Sequence, residues 1–230
     1  MDYRILDLFC GAGGFSLGID NVENFTTKIG VDFDESAIKT FKKNFKNAKG
    51  IHGDIEDLET RKKIIKLSNK EKINMIIGGP PCQGFSLKGK NKGLKDSRNF
   101  LFLEFHKIVK SLMPKIFVIE NVKNLINSSN NYFINEIYDY FTNLGYFVNY
   151  GVLNSHDFGV PQSRKRAIII GSLDRPISLP SPSENINKTT TRDAISDLSY
   201  LKSGEGKKIS EYINPPESEY QRKLRGKKLH

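Results

Sequence analysis

Only two cysteines, Cys10 and Cys82, occur in the 230 residues. They lie far apart, and neither has a histidine at zinc-ligand spacing, so neither a disulfide framework nor a metal site is expected. No apolar run approaches the length needed to cross a bilayer, which excludes a membrane partner of the spanning kind. The opening stretch through Gly14 also lacks the basic-then-apolar profile of a signal peptide, so a cytoplasmic protein is expected, prokaryotic cytosol by preference. No internal repeat appears at solenoid periods.

What the chain does have is an ordinary core content, 37% hydrophobic, which suits one large domain and a fragment of a second. It also carries a formal net charge of +10. Such a charge concentrates polyanions, of which nucleic acid is the commonest for a basic enzyme. An AT-biased genome also yields lysine and asparagine, so the positions of the charges matter more than their sum.

Short apolar runs alternate with helical patterns along the chain. Tyr3 to Phe9 reads as a strand, followed by the turn Cys10-Gly11-Ala12-Gly13-Gly14 and a helix over 15–19. A strand over 27–31 ends in Asp32, and a helix covers 35–45. A third strand ends at His52-Gly53-Asp54-Ile55, a helix covers 59–67, and the strand 73–77 breaks at Gly78-Gly79-Pro80-Pro81. Helix 100–111, buried strand 116–119, helix 132–144, extended segment 146–153 and strand 167–171 complete the series. This alternation predicts an α/β fold with a doubly wound, mostly parallel sheet covered on both faces. Prolines and hydroxyl residues then place a boundary near 175–185, giving 1–178 as the catalytic domain and 179–230 as a linker and the start of a small, incomplete second domain. That second part holds one helical signal, 191–198, capped by Thr191 or an adjacent threonine.

In such sheets ligands sit beyond the carboxyl ends of the strands, so the residues after each apolar run carry the function. Gly11, Gly13 and Gly14 form a turn that a ligand can approach closely, in a G-x-G-G form unlike the dinucleotide fingerprint. Asp32 follows the second strand, where a carboxylate accepts hydrogen bonds from ribose hydroxyls, and Phe33 can cover an adenine face. Asp54 and Ile55 can hold and pack the same ring. An adenosine-containing cofactor fits all three strand ends.

The segment Gly78 to Ser86 is the most telling. Two prolines stiffen the backbone before Cys82 and glycines flank it, so the thiol is presented from a rigid strand end rather than buried in a core. The basic, glycine-containing stretch 86–98 that follows, with Lys88, Lys90 and Arg98, reads as a mobile loop closing over DNA. Arg164 and Arg166 alternate along an extended stretch and so point to one side.

Asp7 through Gly14, Pro80-Pro81-Cys82-Gln83, Glu120-Asn121-Val122 and Gln162 through Arg166 together resemble, in order and approximate spacing, the signature motifs of the DNA cytosine-5-methyltransferases. The resemblance spans roughly residues 3 to 200. It implies a Rossmann-like fold that binds S-adenosylmethionine and releases S-adenosylhomocysteine, with no metal. It implies cofactor contacts from Phe9, Asp32, Phe33, Asp54 and Ile55, extended to Pro80 and Leu101, and a nucleophilic Cys82. Glu120, Arg164 and Arg166 would then surround a flipped cytosine in duplex DNA, Gln83, Ser86 and the basic loop would meet the DNA, and Asn121 would fix the cysteine loop. The chemistry needs such groups: carbon 5 of cytosine is electron-poor and accepts a methyl only after a thiolate adds to carbon 6, while a carboxyl group at N3 disperses the charge.

The family's late motifs are not visible, and the resemblance therefore implies either a split enzyme, in which a second protein chain supplies target recognition and the last motifs, or an incomplete one, through truncation or missing residues. Restriction-modification is the expected setting. A transfer-RNA cytosine-5-methyltransferase and a non-catalytic DNA-binding or assembly subunit are the alternatives; the intact Cys82, Glu120, Arg164 and Arg166 weigh against the latter.

Overall fold

Seven of the apolar runs pair into one sheet in the order β3-β2-β1-β4-β5-β7-β6. The strands are β1 Tyr3–Leu8, β2 Phe25–Asp32, β3 Lys49–His52, β4 Met75–Gly78, β5 Ile116–Val122, β6 Phe147–Asn154 and β7 Lys165–Ser172. The structure, a computed structural model, describes residues 2–81, 100–127, 131–182, 188–207, 209 and 214–225. Pairing is parallel from β3 through β5, and β7 runs antiparallel to β5. The Rossmann-like doubly wound arrangement expected from the alternation is present. Strands β1 and β4 are buried almost throughout, as a parallel strand covered on both faces must be, and their sequences are accordingly continuous rather than alternating.

Helices α1 Gly14–Asp20, α2 Glu35–Asn44, α3 Leu58–Glu71, α4 Phe100–Leu112, α5 Asn124–Asn127 and α6 Tyr132–Thr142 connect the strands. Local chemistry sets their starts. Asp34 accepts from the backbone of Ser36 and Ala37 to cap α2, and Asp57 accepts from Thr60 to cap α3, each satisfying donors that a helix cannot bond itself. In α6 the apolar residues Phe133, Ile134, Ile137 and Phe141 fall on one buried face. They reach an aromatic cluster in which the Phe117 and Phe141 centroids are 4.0 Å apart and Phe117 and Tyr146 are 5.0 Å apart. Gly171 lies opposite Phe117 in the β5–β7 register, and a methyl there would stand 2.0 Å from the Phe117 ring, so the packed ring requires that glycine.

The described residues divide into two units, Met1–Val152 with Arg166–Leu179, and Leu153–Lys165 with Pro180–His230. The C-terminal break thus falls at 179/180, next to the expected 178/179, but the excursion 153–165 groups with the second unit. That excursion contains a 3-10 turn over Ser155–Phe158. The second unit holds α7 Thr191–Ile195 and α8 Glu219–Arg225. Thr190 and Asp193 cap α7 reciprocally, so the adjacent threonine takes the role rather than Thr191. Asp197, fully buried, is gripped by the Arg225 guanidinium at 2.7 and 2.9 Å, which ties α8 to the end of α7. Among the described residues no helix is long and apolar enough to cross a membrane.

Candidate active site

The order of strands reverses between β1 and β4, and in a doubly wound sheet this is where a crevice opens at the carboxyl ends. Here it is a cavity of about 210 Å³ lined by Phe9, Val31, Asp32, Phe33, Gly53, Asp54, Ile55, Glu56, Pro81 and Leu101. Its residues come from the ends of β1, β2, β3 and β4 and the first turn of α4. Pockets for whole drug-sized ligands run to about 300–1,000 Å³, so the space suits one end of a larger molecule.

Backbone geometry at the strand ends is fixed by a few polar contacts. Phe9 sits at φ 63, Gly11 at φ 53 and Gly13 at φ 94, so the chain leaves β1 through three left-handed residues. Gly13 could be nothing else, since a methyl there would meet the Phe45 ring at 2.2 Å. The turn is tied to β2: Gly11 N–H donates to Asp32 Oδ2 at 2.8 Å and Cys10 N–H to the Val31 carbonyl at 3.0 Å. Asp34 N–H donates to Asp32 Oδ1 at 3.0 Å. Each Asp32 oxygen therefore takes one backbone donor and keeps a second lone pair. Asp54 Oδ1 accepts from Glu56 N–H at 2.9 Å, turning the loop after β3. Phe33 is 72% exposed, an unusual position for an aromatic ring without something to stack on.

Beneath the turn, Ser16 Oγ donates to Asp7 Oδ2 at 2.6 Å, and both side chains are buried. Burial pushes the Asp7 carboxyl up to about 7, against the pull of the Ser16 hydrogen bonds. Burial also pushes the Cys10 thiol well above its ordinary value, and the side chain packs with Ile38, Phe41 and Phe45. Cys10 is a core residue.

A second cluster stands at the end of β5. This strand continues to Val122, three residues past Ile119, where the apolar run ends. Glu120 Oε1 pairs with Arg166 Nε at 2.8 Å; in the antiparallel register Arg166 faces Val122, two residues along, which is the diagonal spacing that long side chains bridge. The other carboxylate oxygen, Oε2, lies on the Gly79 side, 3.3 Å from where a methyl on that glycine would stand. Asn121 Nδ2 donates to the Pro80 carbonyl at 2.8 Å in the interior, and its Oδ1 accepts from Val122 N–H at 2.8 Å. The acid, its arginine and the loop from Gly79 to Pro80 are thereby assembled in one unit.

The structure thus gathers Phe9, Asp32, Phe33, Asp54, Ile55 and Leu101 around one cavity, and Glu120, Asn121 and Arg166 around the end of β5. Pro81 rather than Pro80 lines the cavity, while the Pro80 carbonyl accepts from Asn121. Gly11, Gly13 and Gly14 line none of it; they shape the turn that carries Phe9. Arg164 belongs to the second unit, exposed, with its carbonyl accepting from Ser155 N–H at 3.1 Å. Cys82, Gln83, Ser86, Lys88, Lys90 and Arg98 lie outside the described residues. Val31, Gly53, Glu56 and Pro81 were not anticipated, and their only sequence signal is that each adjoins a residue that was.

The family model for C-5 cytosine-specific DNA methylase matches residues 3–228. The chain is 40% identical over 231 residues to the Type II methyltransferase M.DdeI of Desulfomicrobium norvegicum, covering 96% of this chain and 54% of that protein. It is 40% identical over 212 residues to the Type II methyltransferase M1.HphI of Haemophilus parahaemolyticus, covering 91% and 56%. The chain therefore spans about half the length of these relatives. A crystal structure of an E. coli prophage protein described as a DNA modification methyltransferase superposes with a TM-score of 0.70 at 31% identity, covering 87% of this chain and 56% of that one.

Proposed function

The chain belongs to the C-5 cytosine-specific DNA methylase family, and from that premise we propose that it transfers a methyl group from S-adenosylmethionine to carbon 5 of a cytosine extruded from duplex DNA, in the cytosol, as the modification half of a restriction-modification system. The observation that carries the reading is the Glu120–Arg166 pair beside Gly79, at the mouth of the loop leading to Cys82. The relatives' names are those of Type II methyltransferases, which favours DNA over transfer RNA as acceptor. The names of these relatives mention no second protein chain, and the reading does not include one.

The cofactor's residues fit an adenosine. The lone pairs left on Asp32 suit ribose hydroxyls, Asp54 suits an exocyclic amine, and Phe9, Phe33, Ile55 and Leu101 supply apolar faces for a purine. When bound, S-adenosylmethionine supplies an electrophilic methyl on a sulfonium. Cys82, as thiolate, adds to carbon 6 of the cytosine and forms the carbon–sulfur bond, while the ring's electrons move toward N3, where Glu120 supplies a proton or hydrogen bond. Arg166 holds the Glu120 carboxyl group in place through Nε. Carbon 5, now electron-rich, takes the methyl as its bond to the sulfonium sulfur breaks, which would leave S-adenosylhomocysteine. Loss of the carbon 5 proton to a base then expels Cys82 and restores the aromatic ring. Extruding the base costs a few kcal/mol, offset by pocket and backbone contacts.

Trapping on duplex DNA containing 5-fluorocytosine tests the reading, since fluorine at carbon 5 blocks the elimination. A covalent adduct that requires S-adenosylmethionine and maps to Cys82 is expected, and Cys82→Ser should abolish it. An adduct that survives that substitution, or forms on transfer RNA in preference to duplex DNA, sinks it.

A further inference from the structure

We propose that Arg61 and Glu104 are a positioning pair that sets the width of the cavity's base-binding end; this rests on the reading of that cavity as the adenosine site. Arg61 lies in the second turn of α3, and its Nη1 donates to the Ile55 carbonyl at 3.3 Å, to the Glu56 carbonyl at 2.8 Å and to Glu104 Oε2 at 2.7 Å. Ile55 and Glu56 form one wall of the cavity, and Leu101 forms part of another. Leu101 and Glu104 are three residues apart on α4, hence on one face of the helix. One guanidinium nitrogen therefore joins both walls from behind.

Several observations separate this pair from a surface ion pair. Glu104 is 6% exposed and shares its other carboxylate oxygen with Lys107 at 2.7 Å, so both oxygens are engaged. The two carbonyls that Arg61 holds belong to a loop also shaped by the Asp54 side chain, by the Asp57 N–H that donates to the Asp54 carbonyl at 3.1 Å, and by the Asp57 cap at its end. Exposed pairs such as Lys62–Glu59 on the same helix bridge a single helix face and touch no ligand wall. Neither Arg61 nor Glu104 lines the cavity, so each acts through Ile55, Glu56 and Leu101 rather than on a ligand.

Calorimetric titration of the full chain with S-adenosylhomocysteine and, separately, with adenosine tests the pair. Arg61→Met and Glu104→Gln should each weaken both ligands about tenfold and by the same factor, because the affected wall faces the base end that they share. The double variant should weaken binding little further than either alone, as expected for groups acting as a unit. Ile64→Val, one turn on in the same helix and fully buried, provides a core-truncation control whose affinities stay at the wild-type value. Glu104→Gln keeps the shape of the side chain, so it reports even if Arg61→Met does not fold. Wild-type binding with unchanged affinity in the variants overturns the pair while leaving the cavity reading intact. Absence of wild-type binding to either ligand overturns both.

Discussion

Asn121 on β5 donates its side-chain amide to the carbonyl of Pro80 across forty-one residues of sequence, at 2.8 Å and out of contact with solvent. Its own Oδ1 takes the N–H of Val122, so the amide is held at both ends and cannot follow the loop if the loop moves. Pro80, two residues before Cys82 in the sequence, is thus pinned to the strand that carries Glu120.

Replacing Asn121 with Ala deprives the Pro80 carbonyl of its donor where water does not reach. An unsatisfied buried acceptor costs about 1–3 kcal/mol, which urea unfolding of the variant should register. The rate of adduct formation with 5-fluorocytosine DNA should fall tenfold or more. An adduct formed at the wild-type rate would show that the Pro80 anchor does not set the loop.

Asp32 holds Gly11 and Asp34 by their N–H groups, and in the proposed reading its remaining lone pairs also take ribose hydroxyls. Asp32→Ala removes both, so affinity for S-adenosylhomocysteine should drop by more than tenfold in a titration. Asp32→Asn retains one acceptor oxygen and should fall between. If the Ala variant binds as wild type does, the carboxylate is a turn support and nothing more.

How much of this could be read from sequence differs by element, and the reasons are physical. The core strands and α2, α3, α4 and α6 were legible because continuous apolar runs and one-faced apolar spacing have few other solutions. The cavity residues Asp32, Phe33, Asp54 and Ile55 were legible because strand ends are where ligands gather, whereas Phe9 and Leu101, the latter on α4, came from the family resemblance alone. The short α5 and α8 were not: four and seven residues are too few to display a period, and Gln221 of α8 is buried where a polar residue signals surface. The extension of β5 through Asn121 and Val122 was hidden because the polar Glu120 and Asn121 interrupt the apolar run while the antiparallel ladder to β7 continues. Arg61 gave no signal at all, since its partners at Ile55, Glu56 and Glu104 are set by how α3 packs on α4.

Asp7 makes a prediction whose sign is opposite to the usual acid behaviour. Its carboxyl ionises near 3.8 in the unfolded chain and about 7 in the folded one, chiefly through burial. Between those values the folded state keeps a proton that the unfolded state has released, so stability from this group is complete below about pH 4 and is lost as pH rises toward 7. Asp34 and Asp57 have carboxyls held below their ordinary value by cap hydrogen bonds, and they contribute in the other direction at more acid pH. The comparison must therefore be differential. Asp7→Asn keeps an oxygen for Ser16 and removes the titration, so its urea midpoint should change less between pH 5 and pH 8 than that of the wild type. Equal slopes for the two proteins would refute the assignment.

The two cysteines should separate chemically. Cys10 is 6% exposed, packs against Phe41 and Phe45, and burial holds its thiol protonated far above neutral pH. A thiolate is what alkylating reagents and pyrimidine carbon 6 both require, so iodoacetamide applied to the native protein at pH 8 should leave Cys10 unmodified, as peptide mapping would record. Cys10→Ala should cost about 1 kcal/mol of stability, in line with a small core truncation, and should form the 5-fluorocytosine adduct as the wild type does. Because Cys10 and Cys82 are the only sulfhydryls in the chain, this variant isolates Cys82 as the single remaining nucleophilic thiol. Loss of the adduct in Cys10→Ala with the fold intact would move the covalent chemistry to the wrong side of the glycine turn and contradict the core role that its packing assigns it.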